Sequence, residues 1–468
     1  MKPKSDSIVR IISNNIEADI FSPYKIHSDS ESIGSGFFIN DKGYILTCAH
    51  VVDGSAKVAI NVPTEGKKHI AVIVHSICYE KDIALLKTVD YINKDYCKLG
   101  NSTLMNSGDP VQAIGYPLGQ DRLKITKGII SGIQDRYMQI DAPINPGNSG
   151  GPLFNSQMEV IGVNTSKISS LIAEGVGYAT PINDFLLVHD KMTNPPENKI
   201  IKEPSLYCEI QNTTENHCKL FKCPVSPGCL IKKLIKDSPM YLAGLRENDI
   251  LLSFDKYKLD GNGDVDVDWS SDKVNLYDLT AKYTQDSKVN ITYWSTSEMK
   301  EKSGTINMSV DNLFKIKHIR HPFESIDYEI FAGIIIMELS LSHLDNLGIP
   351  DYSPETRFNL LRHRNISKRT KGVLFVSNIL QGSYASSLRD MRAGAIIKNV
   401  NGSCVESLSD FRKAIISKSL NINNRILVYI RLEDRNQIIL DVVDALKEEK
   451  MLSSRYKYNI SDLYTIVN

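Results

Sequence analysis

The sequence predicts a mainly β protein whose first part folds into antiparallel barrels and whose later parts combine strands with short helices. Apolar and polar residues alternate as in strands from Ile8 to about Ile182. Turn residues interrupt this alternation at positions 41–43, 53–54 and 107–110. Short strands separated by turns are typical of antiparallel barrels. Further on, apolar strand-like runs are separated by short helical stretches.

The end of the barrel region is marked by a predicted helix over Asn183–Met192. The linker Thr193–Asn198 follows, because two consecutive prolines cannot continue a helix. With 468 residues the chain should hold several domains of about 100–200 residues each. We predict a first domain over 1–195, a second over 200–312, a third over 313–446 and a C-terminal tail over 447–468.

Charge and hydropathy limit the classes of partner. Lysine plus arginine equals aspartate plus glutamate at 55 each, so no overall basic field attracts nucleic acid. The longest apolar run, Phe331–Met337, is far shorter than the roughly 20 residues that span a bilayer. Residues Ile8–Ile12 are too few and too charged for a signal peptide. We expect no nucleic-acid partner, no membrane insertion, and an intracellular soluble protein in a reducing compartment, the cytoplasm or nucleus.

The cysteines do not indicate a metal site. A long chain without an export signal usually carries free thiols, so we expect all eight to be reduced. Four of them lie near His217, but their irregular spacing lacks the Cys-x-x-Cys pairs of structural zinc sites. The acidic stretch Asp260–Asp268 has Val265 where a calcium loop needs glycine. We expect no metal and no cofactor. The cysteines are Cys48, Cys78, Cys97, Cys208, Cys218, Cys223, Cys229 and Cys404.

Three short motifs, in the order His, Asp, Ser, predict a nucleophilic serine site. Ser149 lies in the glycine-rich run 145–151, and a serine hydroxyl needs an imidazole to remove its proton during attack. His50 is the candidate base, and Asp82 is the candidate carboxylate that orients it. The backbone N–H groups of Gly147 and Ser149 are the candidate oxyanion hole. Nearby acids and bases lack an equivalent setting and are ranked below these; they are Asp53, Asp90, His75 and Asp141.

These motifs resemble the HtrA/Deg family of serine proteases, and the similarity covers most of residues 7–185. The matching segments are Gly34–Ile39, Thr47–Val52, Lys81–Leu86, Gly115–Gly119, Thr126–Ser131 and Ile140–Leu153. The resemblance implies a chymotrypsin-like double β-barrel with the triad in the cleft, followed by two PDZ-like α+β domains as in plant-type Deg proteases. It further implies an ATP-independent endopeptidase for unfolded or damaged proteins. A homo-oligomer, a trimer or hexamer, is implied as well, with Phe21 and Tyr24 as candidate contacts.

Substrate-binding residues are predicted at two places in the first domain. Ile144 and the strand Val163-Asn164-Thr165 should line the primary specificity pocket. None of these side chains is an acid that would neutralise arginine or lysine. We therefore expect a small or medium apolar residue before the cleaved bond, with broad selectivity, because apolar pockets discriminate weakly.

The second domain resembles a PDZ domain and has its own candidate peptide site. A PDZ domain adds a peptide to an exposed sheet edge and caps its carboxylate with loop N–H groups. The candidate loop consists of Gly228, Cys229, Leu230 and Ile231. The alternative is a domain that only packs on the protease. For the divergent copy that follows, docking or assembly is as well supported as peptide capture.

The hairpin over 134–137 is short for a loop that senses a PDZ domain, so we hypothesise that assembly sets activity. The main alternative function is a non-catalytic chaperone or adaptor that binds unfolded chains or C-terminal peptides. A complete triad argues against that alternative, because binding alone does not need it. An esterase is a third possibility, although no segment is suited to form a lipid-binding lid.

Overall fold

The computed structural model describes residues 5–16, 19–25, 29–134, 136–165, 176–223, 228–270, 272–309, 313–388, 390–418, 420–423 and 425–467. The chain forms two compact units. One consists of Met1–Ile16 and Asp29–Asp311, and the other of Glu17–Ser28 and Asn312–Asn468.

The first closed barrel has six strands in the order β1-β2-β3-β6-β5-β4. Buried and exposed side chains alternate over Ile70–Val74, as the sequence alternation predicts, whereas all four side chains of Ile83–Leu86 are buried. A single-turn helix, α1 (Ala49–Val52), follows β3. The strands are β1 (Ile8–Ile16), β2 (Asp29–Phe38), β3 (Tyr44–Thr47), β4 (Ser55–Asn61), β5 (Ile70–Cys78) and β6 (Ile83–Thr88).

The second closed barrel also has six strands, in the order β10-β11-β12-β9-β8-β7. The predicted helix after this barrel is present as α2 (Ile182–Thr193). The two six-stranded barrels confirm the predicted double-barrel fold. The strands are β7 (Pro110–Gly115), β8 (Lys124–Gln134), β9 (Tyr137–Ile140), β10 (Pro152–Phe154), β11 (Val160–Thr165) and β12 (Gly177–Pro181).

The same unit continues into an α+β domain with the sheet order β13-β14-β15-β19-β20. Strand β16 pairs with β15, and β17 pairs with β18. The strands are β13 (Cys208–Gln211), β14 (Cys229–Leu234), β15 (Ile250–Phe254), β16 (Tyr257–Lys258), β17 (Asp264–Val265), β18 (Val274–Asn275), β19 (Lys288–Ser295) and β20 (Lys300–Asn307). The helices are α3 (Glu215–Leu220), α4 (Pro239–Leu242) and α5 (Leu276–Thr280).

The second unit is built on a sheet in the order β21-β22-β23-β24-β27-β26, with β25 beside β24 and β28 beside β27. Its strands are β21 (Glu329–Phe331), β22 (Ile334–Glu338), β23 (Leu374–Ile379), β24 (Ile396–Val400), β25 (Ser403–Cys404), β26 (Leu420–Ile422), β27 (Arg425–Leu432) and β28 (Gln437–Asp441). Its helices are α6 (Leu341–Asp345), α7 (Pro354–Leu361), α8 (Leu408–Lys418) and α9 (Val442–Tyr456).

The predicted C-terminal tail over 447–468 is wrong for the residues that the structure describes. Helix α9 extends to Tyr456, and a 3₁₀ helix follows over Asp462–Val467. Leu452, Leu463 and Tyr464 are buried in the cores of the second unit. This apolar burial makes the segment part of the folded domain.

Phe21 and Tyr24 belong to the core of the second unit. The Phe21 ring packs edge-on against His343 and Tyr352, with centroids 5.2 Å and 5.9 Å away. The Ser377 hydroxyl donates to the Phe21 carbonyl at 2.8 Å. Both aromatic residues are buried, at 3% and 8% exposed, so their surfaces are already covered within one chain. They therefore do not serve as the predicted oligomer contacts in this structure.

Candidate active site

His50 and Asp82 form a directly hydrogen-bonded pair on the first barrel. Nδ1 of His50 lies 2.8 Å from Oδ2 and 3.0 Å from Oδ1 of Asp82. Because a carboxylate only accepts hydrogen bonds, Nδ1 carries the proton and donates it, which leaves Nε2 as the acceptor. The Asp82 side chain is 5% exposed and the His50 side chain 25% exposed. This is the tautomer and orientation that a general base for a serine requires.

Asp82 is held in an uncommon backbone conformation. Its φ is +52°, in the left-handed region that residues with a Cβ rarely adopt. Its carboxylate also accepts from the His50 backbone N–H at 3.0 Å and from the Thr165 hydroxyl at 3.3 Å. Conformations of this kind persist only where surrounding contacts fix them. The carboxylate is therefore constrained from several sides toward the imidazole.

The turn that carries Ser149 depends on glycine. Gly147 has φ +96°, and a Cβ there would lie 2.3 Å from the Tyr116 carbonyl oxygen. Gly150 has φ +83°, and its Cβ would lie 2.1 Å from both Ser35 O and Thr47 Oγ1. Only glycine fits both positions, which brings the turn close against its neighbours.

Strand β2 brings the base and the nucleophile segments together. The Ser35 N–H donates to the Ser149 carbonyl at 2.8 Å, and the Ser35 hydroxyl donates to the Gly147 carbonyl at 2.7 Å. A Cβ built on Gly34 would lie 2.5 Å from Val51, the neighbour of His50, and 3.3 Å from the Ser149 carbonyl oxygen. The first barrel therefore supports both predicted motifs at one place, and Ser149 is 3% exposed there.

Cys48, two residues before His50, is a packing residue. Its thiol lies 3.2 Å from the Asn164 carbonyl oxygen and is fully buried. Burial, together with the negative charge of Asp82, raises the pKa of the Cys48 thiol well above its ordinary value. The thiol therefore stays protonated and is a poor nucleophile. The Cys48, His50 and Asp82 ligand atoms lie within 4.8 Å of one another, but the histidine and aspartate are already bonded to each other.

The predicted specificity residues have clear packing roles. Asn164 is fully buried, and its carbonyl accepts from the Gly150 N–H at 2.8 Å while its amide donates to the Pro152 carbonyl at 3.1 Å. Thr165 bonds to Asp82, Val163 is fully buried in the barrel, and Ile144 is 8% exposed. Asn164 and Thr165 thus support the serine turn and the aspartate, a role that the sequence did not indicate. A contact of these four residues with substrate stays a prediction.

The lower-ranked acids and bases have other surroundings. Asp53 accepts from the Tyr79 hydroxyl at 2.9 Å, and Asp141 accepts from the Ile129 N–H at 2.6 Å. His75 Nε2 lies 3.0 Å from the Thr193 carbonyl oxygen, and Asp90 is exposed. None of these four contacts the Ser149 turn through a described hydrogen bond.

The predicted peptide loop of the second domain, Gly228–Ile231, does not lie at a free sheet edge. Cys229 and Leu230 lie on β14, which pairs with β13 on one side and β15 on the other. A Cβ on Gly228 would lie 1.9 Å from the Leu251 carbonyl oxygen. Because both edges of β14 are hydrogen-bonded, a peptide strand cannot add to β14 itself, and carboxylate capping by this loop stays a prediction.

The edge strand next to β14 is β13, which pairs only with β14 among the residues described, and β20 ends the sheet on its other side. Tyr277, on α5, covers the β13 edge. Its hydroxyl lies 3.3 Å from the Cys208 carbonyl oxygen, to which it donates, and accepts from the Ile210 N–H at 3.3 Å. Burial raises the pKa of Tyr277 to about 12, so the hydroxyl keeps its proton at neutral pH.

Comparison with known proteins agrees with the fold. Residues 34–163 match the family model of the trypsin-like peptidase domain, and residues 321–461 match that of a PDZ domain. The HtrA-type protease AlgW with a decapeptide has a similar fold, with a TM-score of 0.51 and 22% identity over 65% of this chain and 95% of AlgW. The double barrel and the family matches therefore indicate a trypsin-like peptidase domain that is followed by a PDZ domain.

Curated relatives narrow this class. The serine protease Do-like HtrA of Bacillus subtilis is 33% identical over 50% of this chain and 56% of the relative. A probable periplasmic DegP-like serine endoprotease of Halomonas elongata is 36% identical over 50% of each chain. The DegP-like relative from Chlamydia pneumoniae is 27% identical over 84% of this chain and 73% of its own length. Over about half of its length the chain is therefore similar to serine proteases of the HtrA and DegP type.

The chain spans about half the length of the first two relatives described above. The assignment of residues 200–312 as a PDZ domain stays a prediction. Among the described residues, the helices are all too short or too polar to cross a membrane. The Halomonas and Chlamydia relatives are named periplasmic, so the expectation of a cytoplasmic or nuclear location has no support from them.

Proposed function

We propose that the chain is an ATP-independent serine endopeptidase that cleaves unfolded or damaged polypeptides. The observation that carries this proposal is the 2.8 Å contact between His50 Nδ1 and Asp82 beside the glycine turn of Ser149. In the proposed mechanism, Nε2 of His50 takes the Ser149 proton as the hydroxyl attacks the substrate carbonyl. The N–H groups of Gly147 and Ser149 stabilise the resulting oxyanion, and His50 then protonates the leaving amine.

Hydrolysis of casein by the purified protein tests this function. The wild type should release peptides without ATP, and Ser149→Ala should abolish release. Asp82→Asn should lower kcat by about 10⁴-fold, because the amide favours the wrong imidazole tautomer. A folded, assembled wild-type sample that binds casein without cutting it would overturn the proposal in favour of the chaperone or adaptor function. Cleavage that continues in Ser149→Ala would exclude Ser149 as the nucleophile.

We further propose that peptides add to the free edge of β13 and that Tyr277 must first leave that edge. A strand added there would need the Cys208 carbonyl and the Ile210 N–H, the two groups that the Tyr277 hydroxyl occupies. The apparent affinity of the protein for peptides should therefore be lower than that of the open edge, in proportion to the fraction of molecules in which Tyr277 has left it.

Fluorescence polarisation with a labelled peptide that ends in apolar residues tests this second proposal in Ser149→Ala protein. Tyr277→Ala should tighten binding, and Tyr283→Ala serves as a control, since that tyrosine bonds to Asp255 away from the edge. Equal affinity of Tyr277→Ala and the parent would contradict the proposal.

We also propose a homo-oligomer, a trimer or hexamer, as the resemblance to HtrA/Deg proteases implies. Analytical ultracentrifugation would determine the oligomeric state.

A further inference from the structure

Lys81 precedes the catalytic aspartate in sequence, and its side chain is 1% exposed. Burying an ammonium is costly unless it is paired and hydrogen-bonded. Lys81 Nζ lies 2.8 Å from Oε1 of Glu203 and donates to the Ala281 carbonyl at 3.0 Å. Glu203 lies in the segment between α2 and β13, and Ala281 caps the C-terminus of α5. The ammonium is thus held by groups from outside the two barrels.

The Glu203 carboxylate is a shared anchor. It is 12% exposed and also forms an ion pair with Arg136 of the short β8–β9 hairpin. Two cations from different barrels therefore meet one carboxylate. Removing Glu203 would leave the Lys81 ammonium buried without its counter-charge, which forces the side chain or its backbone to move.

Movement at Lys81 would be transmitted to Asp82 through one peptide bond. Asp82 has the left-handed φ of +52°, and its N–H donates to the Tyr79 carbonyl at 3.2 Å, which closes a tight turn over 79–82. On one side of this turn the Asp82 carboxylate faces His50, and on the other side the Lys81 ammonium is fixed. A strained turn keeps its geometry only while contacts on both sides hold it.

We infer that Lys81 is a positioning residue of the active site: its anchoring by Glu203 and the Ala281 carbonyl fixes the turn that presents Asp82 to His50. Residues outside the two barrels thereby help to position the triad. The inference rests on the proposed protease function. A positional error of about 1 Å at a reacting group costs about 10²-fold in rate. Loss of the anchor should therefore lower kcat strongly and leave KM nearly unchanged, because Lys81 does not contact substrate.

The test uses full-length protein and compares Lys81→Met, Lys81→Arg and Glu203→Gln with the wild type. The matched control is Lys98→Met, which breaks an exposed ion pair of 2.6 Å with Glu159. A fluorophosphonate counts the active serines, so kcat is expressed per competent site and unfolded protein does not contribute. Thermal unfolding is measured for every variant.

Lys81→Met should lower kcat by about 10²-fold with KM changed less than about 2-fold, and Lys81→Arg should recover part of the loss. The Lys81→Met, Glu203→Gln double variant should lose no more than the worse single variant, because the Lys81–Glu203 pair is removed by either change, although Glu203→Gln also removes the pair with Arg136. Unchanged kcat per active site in Lys81→Met, or in Glu203→Gln if Lys81→Met does not fold, would overturn the inference. A Lys81 variant with a lower melting temperature and an unchanged kcat would also overturn the inference.

The two proposals fail in different ways. Wild-type protein that neither labels at Ser149 nor cleaves casein would overturn the protease function, and the positioning role with it. Wild-type protein that labels and cleaves, beside Lys81 variants that do so at the same rate, would overturn the positioning role alone.

Discussion

Gly147 and Gly150 hold the nucleophile turn in conformations that a side chain would prevent. Both have positive φ. A Cβ on Gly147 would lie 2.3 Å from a neighbouring oxygen atom and a Cβ on Gly150 would lie 2.1 Å from one, which is closer than van der Waals contact. The serine turn therefore cannot shift without disturbing Tyr116 and Ser35, which contact it. The geometry of the oxyanion hole is set by these backbone contacts.

Gly147→Ala should reduce kcat by about 10²–10³-fold, the usual effect of losing one oxyanion donor. The added Cβ would displace the N–H that stabilises the intermediate. Casein hydrolysis per labelled serine measures the effect. Gly132→Ala is the control, because its Cβ meets nothing within 4 Å. Equal losses in the two variants would contradict this role for Gly147.

At the residue scale, the sequence predicts the triad because its members lie in short, distinctive motifs. It does not reveal the partners of Lys81, which are 122 and 200 positions away at Glu203 and Ala281. Nor does it reveal that Tyr277 covers the β13 edge. These pairings depend on how domains pack, which local patterns do not encode.

At the scale of elements, helix α9 and the 3₁₀ helix after it form a buried polar cluster. The Tyr458 hydroxyl donates to Glu449 Oε1 at 2.7 Å, and the Tyr464 hydroxyl donates to Oε2 at 2.8 Å. Tyr464 also accepts from the Ala332 N–H at 2.8 Å. Glu449 is fully buried and interrupts the apolar pattern of the helix. The sequence after Ala445 is charged, and this charge led to the prediction of a tail.

Tyr464→Phe should destabilise the second unit by about 1–3 kcal/mol, because it leaves Glu449 and the Ala332 N–H without this partner in a buried site. Urea unfolding followed by circular dichroism measures the change. Phe358→Tyr, at an exposed position of α7, serves as a control for altering one aromatic hydroxyl. A free energy of unfolding equal to that of the wild type would contradict the role given to this cluster.

His343, a buried residue of helix α6, should make the free energy of unfolding depend on pH. Its Nδ1 accepts from the Ser340 N–H at 3.1 Å, so the proton resides on Nε2, which faces the Ile20 carbonyl oxygen at 2.8 Å. Burial lowers the pKa of His343 to about 4, whereas an unfolded histidine titrates near about 6.5. Between these values the unfolded chain binds more protons, so stability falls as the pH falls.

His343 should therefore contribute stability that is complete above about pH 6.5 and is lost toward pH 4, about 3 kcal/mol in all. Urea unfolding between pH 7 and pH 4 should show a shallower pH dependence in His343→Gln than in the wild type. Identical slopes in the two proteins would show that His343 does not titrate in this way.

At the scale of the whole molecule, Phe21 and Tyr24 are buried within one chain, so we expect them to stabilise the second unit rather than the oligomer. Phe21→Ala should destabilise the second unit by about 3–5 kcal/mol, because it empties a buried aromatic site. The assembly state in analytical ultracentrifugation should match the wild type. Phe358→Ala is the control, since Phe358 is 74% exposed. Dissociation of Phe21→Ala with unchanged unfolding would restore the oligomer contact that the sequence predicted.

The architecture as a whole was predictable where local pattern determines it. Strand alternation and turns give the two barrels, and the helix predicted over 183–192 is present at Ile182–Thr193. The insertion of residues 19–25 into the second unit was not predictable, because its partners, such as Ser377, lie more than three hundred residues away. The position of β14 inside the sheet was not predictable either, because sequence periodicity does not determine strand order.

The most direct test of the central claim is to label the wild-type protein with a fluorophosphonate and locate the adduct by peptide mass spectrometry. Activation of Ser149 by His50 predicts one adduct, on Ser149, that is absent in His50→Ala while the folded structure is retained. An unlabelled Ser149 in folded, assembled protein, or equal labelling in His50→Ala, would contradict the assignment of this triad.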